Sequence, residues 1–127
     1  MNCRLALTLG LALMASAAMA HPNFVGTFKQ KYPAPAGSAL AKATCAICHV
    51  GFTPKLNPYG VDLQKALRAD KTKTLSAAEL AKVEKLDSDK DGAKNIVEIK
   101  AGTLPGDAKS KPGAVKPKAK AKAPKKK

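Results

Sequence analysis

The apolar positions after residue 21 recur at the spacing of helices. Phe24, Phe28 and Tyr32 lie four residues apart, which predicts one face of a short helix. Asn23 is a candidate N-cap for this helix, and the Pro- and Gly-rich residues 33–37 end it. Residues 38–44 are rich in Ala and Leu and predict one or two further helical turns.

Three more helices are predicted downstream. Pro58 suits the first position of a helix that ends near Asp70. Ser76 and Glu79 form a capping-box pattern that opens the next helix, and Gly102 stops the last one. No alternation typical of strands is present, so the expected fold is all-α, with four short helices. The apolar faces are Val61, Leu63 and Leu67, then Leu80, Val83 and Leu86, then Ile96, Val97 and Ile99.

The first 20 residues resemble an export signal. Arg4 supplies the positive start, residues 5–14 are an apolar run, and residues 18–20 read Ala-Met-Ala, a small-x-small cleavage pattern. An N-terminal membrane anchor is the alternative, but the run is short for a span. Cleavage after residue 20 would remove all three Met and leave His21 at the N-terminus of a periplasmic or secreted protein.

The other end of the chain carries the excess charge. Residues 109–127 hold nine Lys and no acid, within a chain of net charge +14. Residues 108–127 have almost nothing apolar to bury, so we expect a disordered tail after a domain spanning residues 21–107. The tail either solvates the protein or steers it to an anionic partner. Its composition resembles that of linker-histone tails, but the export signal argues against nucleic acid as the partner.

The strongest chemical signal is Cys45-Ala-Ile-Cys48-His49, the C-x-x-C-H spacing of c-type haem attachment. Two thiols at this spacing reach the two vinyl groups of one porphyrin, and the next residue provides the axial imidazole. Residues 24–70, including the Asn57-Pro58-Tyr59-Gly60 stretch, resemble the small bacterial monohaem c-type cytochromes. The resemblance implies covalent haem c bound by Cys45, Cys48 and His49. With three Phe, two Tyr and no Trp, the core would depend on such a cofactor, and Phe24, Phe28, Phe52 and Tyr59 are expected to pack on the porphyrin.

Three other interpretations of this motif compete. A disulfide between Cys45 and Cys48 would close a small loop and stabilise little. A thioredoxin-type pair would require a βαβ setting, which the sequence lacks. A zinc site could recruit His21 as its fourth ligand, although adjacent Cys48 and His49 fit poorly on one tetrahedron.

A second motif matches the calcium loop of EF-hands over residues 87–98, D-x-[DN]-x-[DN]-G-x5-E. Gly92 allows the sharp turn, and Glu98 would close the site with two oxygens. Lys94 replaces the usual apolar residue at position 8, and no second loop is present, so the loop resembles the solitary calcium loops of exported bacterial modules. The alternative is an acidic turn that binds no metal. The predicted Ca²⁺ ligands are Asp87, Asp89, Asp91, the carbonyl of Ala93, Asn95 and Glu98.

These signals predict an electron carrier rather than an enzyme. The sequence contains no Ser/His/Asp set, no phosphate-binding glycine loop and no paired carboxylates outside the calcium loop. An acidic redox protein or an anionic membrane surface is the expected partner of the Lys-rich tail. A haem-based gas or peroxide sensor or enzyme with an open sixth position is the alternative, and a calcium-loop interaction module with structural haem is a third class.

The sixth iron ligand separates the first two classes. With no Met in the mature chain, His21 is the remaining imidazole because His49 is the proximal ligand. The N-terminal amine, a deprotonated Lys or water are the other candidates.

Overall fold

The computed structural model describes residues 22–113, so the predicted export signal, His21 and residues 114–127 lie outside the described residues. This part of the chain contains a 3₁₀ turn at Cys45–Ile47 and only an isolated bridge, between His49 and Leu56, in place of strands. The prediction of an all-α fold is confirmed for residues 22–113. The α-helices are α1 (Pro22–Lys31), α2 (Ala39–Lys42), α3 (Pro58–Ala69), α4 (Ala77–Val83) and α5 (Asn95–Ala101).

The helix starts show which local signals were reliable. Ser76 Oγ accepts a hydrogen bond from Ala78 N, and the Glu79 carboxylate accepts one from Ser76 N at 2.8 Å, so the capping box is confirmed. A fifth helix, the single turn α2, forms within residues 38–44 because Ser38 Oγ accepts from Ala41 N. The prediction that Asn23 caps α1 is wrong, because α1 already begins at Pro22.

The core lies where α1, α3 and α4 meet. Phe28 of α1 makes edge contacts with Tyr32 at 5.1 Å and with Tyr59 of α3 at 6.1 Å between ring centroids. Tyr32 Oη also donates to Glu84 Oε1 at 2.6 Å, which ties α1 to the end of α4 and lowers the pKa of Glu84. The buried apolar core comprises Phe28, Tyr32, Leu40, Ile47, Tyr59, Leu63, Leu75, Leu80, Val83 and Ile99.

Several residues predicted to be buried are not. Phe52 is 91% exposed, because it lies at the tip of the loop between Cys48 and α3. Leu86 lies beyond the end of α4 and is exposed. Val97 is exposed because the buried side of α5 carries Asn95, Glu98 and Ile99. Val61 is also exposed, since α3 buries Tyr59, Gly60 and Leu63 instead.

The last described residues return to the folded part of the chain. Ser110 Oγ accepts from Leu104 N at 3.0 Å, and Lys111 Nζ donates to the Asp91 carbonyl at 3.3 Å. The first residues of the predicted tail therefore contact the domain.

None of the helices described between residues 22 and 113 is long and apolar enough to cross a membrane.

Candidate functional site

The residues Cys45, Cys48 and His49 form a tight turn at the start of a loop. The His49 N–H donates to the Cys45 carbonyl at 2.9 Å, and the Cys48 N–H donates to the same oxygen at 3.2 Å. We refer to residues 45–49 as the CXXCH loop. All three side chains lie on the wall of one cavity.

This cavity has a volume of about 530 Å³. That is within the range of small-molecule sites, roughly 300–1,000 Å³. Helices α1 and α3 and the CXXCH loop supply most of its wall, which is predominantly apolar. The lining residues are Phe24, Val25, Phe28, Thr44, Cys45, Ile47, Cys48, His49, Phe52, Thr53, Pro54, Leu56, Gly60, Leu63, Gln64, Leu67 and Leu75.

The imidazole of His49 is positioned with one nitrogen inside the protein. Its Nδ1 is buried and has no hydrogen-bond partner. Because His49 lines the cavity, Nε2 is the ring nitrogen available to a ligand there. The ring can therefore act as a monodentate ligand to a metal in the cavity.

The two thiols of the CXXCH loop differ in their burial. Burial, with the neighbouring Cys45 as the lesser cause, raises the pKa of Cys48 to about 12. Cys48 is therefore a poor nucleophile, because the thiolate is the reactive form. Cys45 is exposed and Cys48 is partly buried, and the two are not bonded to each other.

The CXXCH loop also does not gather its donors around a point. Between residues 22 and 113, the one group of three metal-ligating side chains whose donor atoms converge within 4.8 Å is Asp87, Asp89 and Asp91. A small ion such as zinc requires such convergence, since its ligand distances are only about 2.0–2.3 Å. The side chains of Cys45, Cys48 and His49 therefore do not form a pre-assembled site for a small ion among the described residues.

Asn57 holds the CXXCH loop in place. Its Nδ2 donates to the carbonyls of Ala46 and Ile47, both at 3.1 Å, and its backbone N–H donates to the Cys48 carbonyl at 3.0 Å. Its Oδ1 meanwhile accepts from Gly60 N at 2.9 Å and caps α3. One buried side chain thus satisfies the backbone of both the loop and the helix.

Gly60 allows α3 to approach the CXXCH loop. A Cβ at this position would lie 2.9 Å from the Cys48 carbonyl carbon and closer still to its oxygen. Asn57 and Gly60 belong to the stretch that resembles monohaem cytochromes, but the sequence did not predict them as site residues. The Asn-Pro-Tyr-Gly stretch is the sequence signal for the cap of α3, because Asn is a favoured N-cap and Pro a favoured first residue of a helix.

A second cluster lies in the acidic loop, residues 87–98. Gly92 N and Asp91 N donate to the two carboxylate oxygens of Asp87 at 2.9 and 3.1 Å. Gly92 has φ of 97°, and Lys90 also has a positive φ of 60°, so the chain turns sharply and brings its carboxylates together. The Oδ2 atoms of Asp89 and Asp91 are buried without a hydrogen-bond partner. Burial is the main cause that raises the pKa of Asp89.

Glu98 is fully buried, and neither of its carboxylate oxygens has a hydrogen-bond partner. Burial raises its pKa to about 8, and repulsion from Asp89, Asp91 and Asp87 adds to this effect. Unpartnered buried carboxylates are costly, which is why such groups in proteins are paired or bind metals. The position of Glu98 therefore suits a cation ligand.

The remaining predicted calcium ligands, Asn95 and Ala93, make other contacts in the structure. Asn95 is buried and donates from Nδ2 to Val83 O and Ser88 Oγ, both at 2.8 Å, while its Oδ1 accepts from Ser88 N at 3.2 Å. Its amide thus joins α4, the acidic loop and α5. The Ala93 N–H donates to Asp91 Oδ1 at 2.7 Å, and Ala93 also lines a shallow, open cleft of about 390 Å³ beside Lys111.

Comparisons of the chain with protein-family models, with curated proteins and with solved structures found no match.

The close packing of Gly60 against the CXXCH loop can be tested by adding a methyl group at this position. Gly60→Ala should lower the free energy of unfolding by about 3 kcal/mol, the upper end for overpacking, because the methyl group overlaps the Cys48 carbonyl. Chemical denaturation of the purified protein measures this change.

Gly26→Ala is the matched control for that experiment. A Cβ at Gly26 meets only Asn23 Oδ1 at 3.9 Å, and Ala is favoured over Gly within a helix by about 0.5–1 kcal/mol. This variant should be unchanged or slightly more stable. Equal stability of the two variants would contradict the close approach of α3 to the CXXCH loop.

Proposed function

We propose that this chain is an exported monohaem c-type cytochrome that carries electrons and is stabilised by a calcium loop. The observation that carries the proposal is the placement of Cys45, Cys48 and His49 on one wall of an apolar cavity of about 530 Å³. The C-x-x-C-H spacing and the predicted export signal provide independent support from the sequence.

Each residue of the CXXCH loop has a defined role in this proposal. Cys45 and Cys48 would hold haem by thioether bonds, and His49 would bind the iron through Nε2. Bound haem supplies one-electron chemistry between ferric and ferrous iron. The apolar wall, including Phe28, Leu63 and Leu67, would exclude water from the porphyrin, a condition that influences the redox potential.

The covalent attachment can be tested by removing both thiols. The double variant Cys45→Ala, Cys48→Ala, expressed with export intact, should yield no protein whose pigment survives acid–organic extraction. The unchanged protein should keep its pigment through the same extraction and through denaturing electrophoresis. A colourless unchanged protein from a host that attaches haem c would contradict the proposal.

The sixth iron ligand distinguishes the electron carrier from a second candidate function. Among residues 22–113, the cavity wall contains no Met, no Lys and no His besides His49. Its other polar side chains are Thr44, Thr53 and Gln64. This observation also favours a haem-based gas or peroxide sensor or enzyme with an open site, unless His21 supplies the ligand.

Bis-histidine ligation through His21 predicts a clear spectroscopic change. The unchanged ferric protein should be low-spin, and His21→Ala should make it high-spin and let carbon monoxide bind readily to the ferrous form. Gln30→Ala, an exposed change on α1, is the control and should remain low-spin. If the unchanged protein is already high-spin and binds carbon monoxide at once, the sensor or enzyme replaces the electron carrier as the proposed function.

The acidic loop is proposed to bind Ca²⁺ through Asp87, Asp89, Asp91, the Ala93 carbonyl and Glu98, with Asn95 at the ninth loop position. Support comes from the convergence of the three aspartates and from the unpartnered oxygens of buried Glu98. Ca²⁺ prefers six to eight oxygen ligands of this kind. The ion would neutralise carboxylates that otherwise repel one another, so its role is structural.

Glu98→Gln should have opposite effects with and without calcium. In chelator, the variant should be at least as stable as the unchanged protein, because an unpartnered buried group costs about 1–3 kcal/mol, and more when charged. In calcium at a hundredfold excess over Kd, the unchanged protein should gain about 2.7 kcal/mol, and the variant should lose most of that gain.

Melting curves in calcium and in chelator measure both effects. Asp70→Asn is the control, since Asp70 lies outside the acidic loop in a surface ion pair with Lys82. It should keep the full calcium response. Identical melting of the unchanged protein in calcium and in chelator would exclude the calcium site.

The expected partner is an acidic redox protein or an anionic membrane surface. Residues 109–127 carry nine Lys and no acid, so this segment is strongly positive. Such a segment would attract negatively charged surfaces and speed the encounter in a salt-dependent way.

A further inference from the structure

The acidic loop is connected to the CXXCH loop by the chain that leaves α5. We call this segment, residues 102–106, the brace. Thr103 is buried and bonds back to the Glu98 carbonyl through both its N–H, at 2.9 Å, and its Oγ1, at 3.2 Å. Gly102 ends α5 in the left-handed conformation with φ of 78°. The brace is therefore anchored directly to the residue proposed to close the calcium site.

The other end of the brace lies against Asn57. A Cβ at Gly106 would be 2.5 Å from both Cγ and Oδ1 of Asn57. Asn57 in turn holds the CXXCH loop through the carbonyls of Ala46 and Ile47. The Gly102 carbonyl accepts from Leu40 N at 3.0 Å, so the brace also supports α2, which leads into Cys45.

A second, independent contact joins the same two sites. Ser88, the second residue of the acidic loop, donates from Oγ to Asp62 Oδ2 of α3 at 2.8 Å. Helix α3 lines the cavity with Gly60, Leu63 and Leu67. The acidic loop thus contacts the cavity wall through α3 and the CXXCH loop through the brace.

We infer that the brace positions Asn57 so that calcium bound at Glu98 rigidifies the CXXCH loop. This inference rests on the proposed function, since it assigns both haem and calcium to this chain. Without a cation, no hydrogen bond fixes the carboxylate of Glu98, so α5 and the brace lose one restraint on local opening. With calcium, Glu98 is fixed, the brace stays against Asn57, and the hydrogen bonds to Ala46, Ile47 and Cys48 persist.

Hydrogen exchange of the mature holoprotein tests this coupling, with Ca²⁺ alone as the probe. Calcium should slow amide exchange in the peptide covering residues 45–57 by about tenfold, within the usual range of coupling between sites. Glu98→Gln should abolish this response. Gly106→Ala should reduce the response to less than about twofold while calcium affinity, measured by chelator competition, changes by less than about threefold.

Gly106→Ala is chosen because it perturbs the contact between the brace and Asn57. Gly106 does not have a positive φ, so its backbone accepts Ala, and the three atoms nearest the added methyl group all belong to the side chain of Asn57. Gly26→Ala, where the methyl group has room, is the matched control and should keep the full response. If Gly106→Ala fails to fold, Ser88→Ala removes the contact to Asp62 together with the hydrogen bond that Ser88 Oγ accepts from Asn95, and it should at least halve the response.

The outcomes separate this inference from the proposed function. A holoprotein that binds calcium with no change in exchange over residues 45–57 overturns the coupling and leaves the proposed function standing. A full response in both Gly106→Ala and Ser88→Ala overturns it as well. An unchanged protein without covalent haem, or one that binds no calcium, contradicts the proposed function itself.

Discussion

The side-chain amide of Asn57 joins the CXXCH loop to the start of α3 and packs against Gly106. Its Nδ2 is 3.1 Å from two loop carbonyls, and its Oδ1 is 2.9 Å from Gly60 N. These groups are buried, so leaving them unpaired would cost about 1–3 kcal/mol each. Two further features depend on this arrangement. Position 60 must remain a glycine, and the cavity wall takes its shape from the CXXCH loop and α3.

The second constraint is the buried carboxylate of Glu98. Its burial near three aspartates raises its pKa to about 8, and an unpartnered buried acid is costly to a small domain. The same helix carries Asn95, whose hydrogen bonds to Val83 and Ser88 hold the acidic loop between α4 and α5. Polar residues thus occupy the buried side of α5 where an ordinary core helix would place apolar ones.

Sequence patterns predicted the parts of the fold that local interactions determine. The capping box at Ser76 and the start of α3 at Pro58 depend on neighbouring residues alone, and the structure confirms both. The burial of Leu86, Val97 and Phe52 was predicted wrongly, because it depends on where a helix ends and which side meets the core. Cys45, Cys48 and His49 were identified from their spacing, whereas the roles of Asn57 and Gly106 could not be predicted, since their contacts span distant segments.

The central claim is that Cys45 and Cys48 carry a covalently bound haem in the exported protein. Intact mass spectrometry of that protein under denaturing conditions tests it most directly, because non-covalent ligands are lost and thioether-linked haem is not. The account predicts the mass of the chain beginning at His21 plus one haem. The mass of the bare chain, from a host that attaches haem c to other proteins, would contradict it.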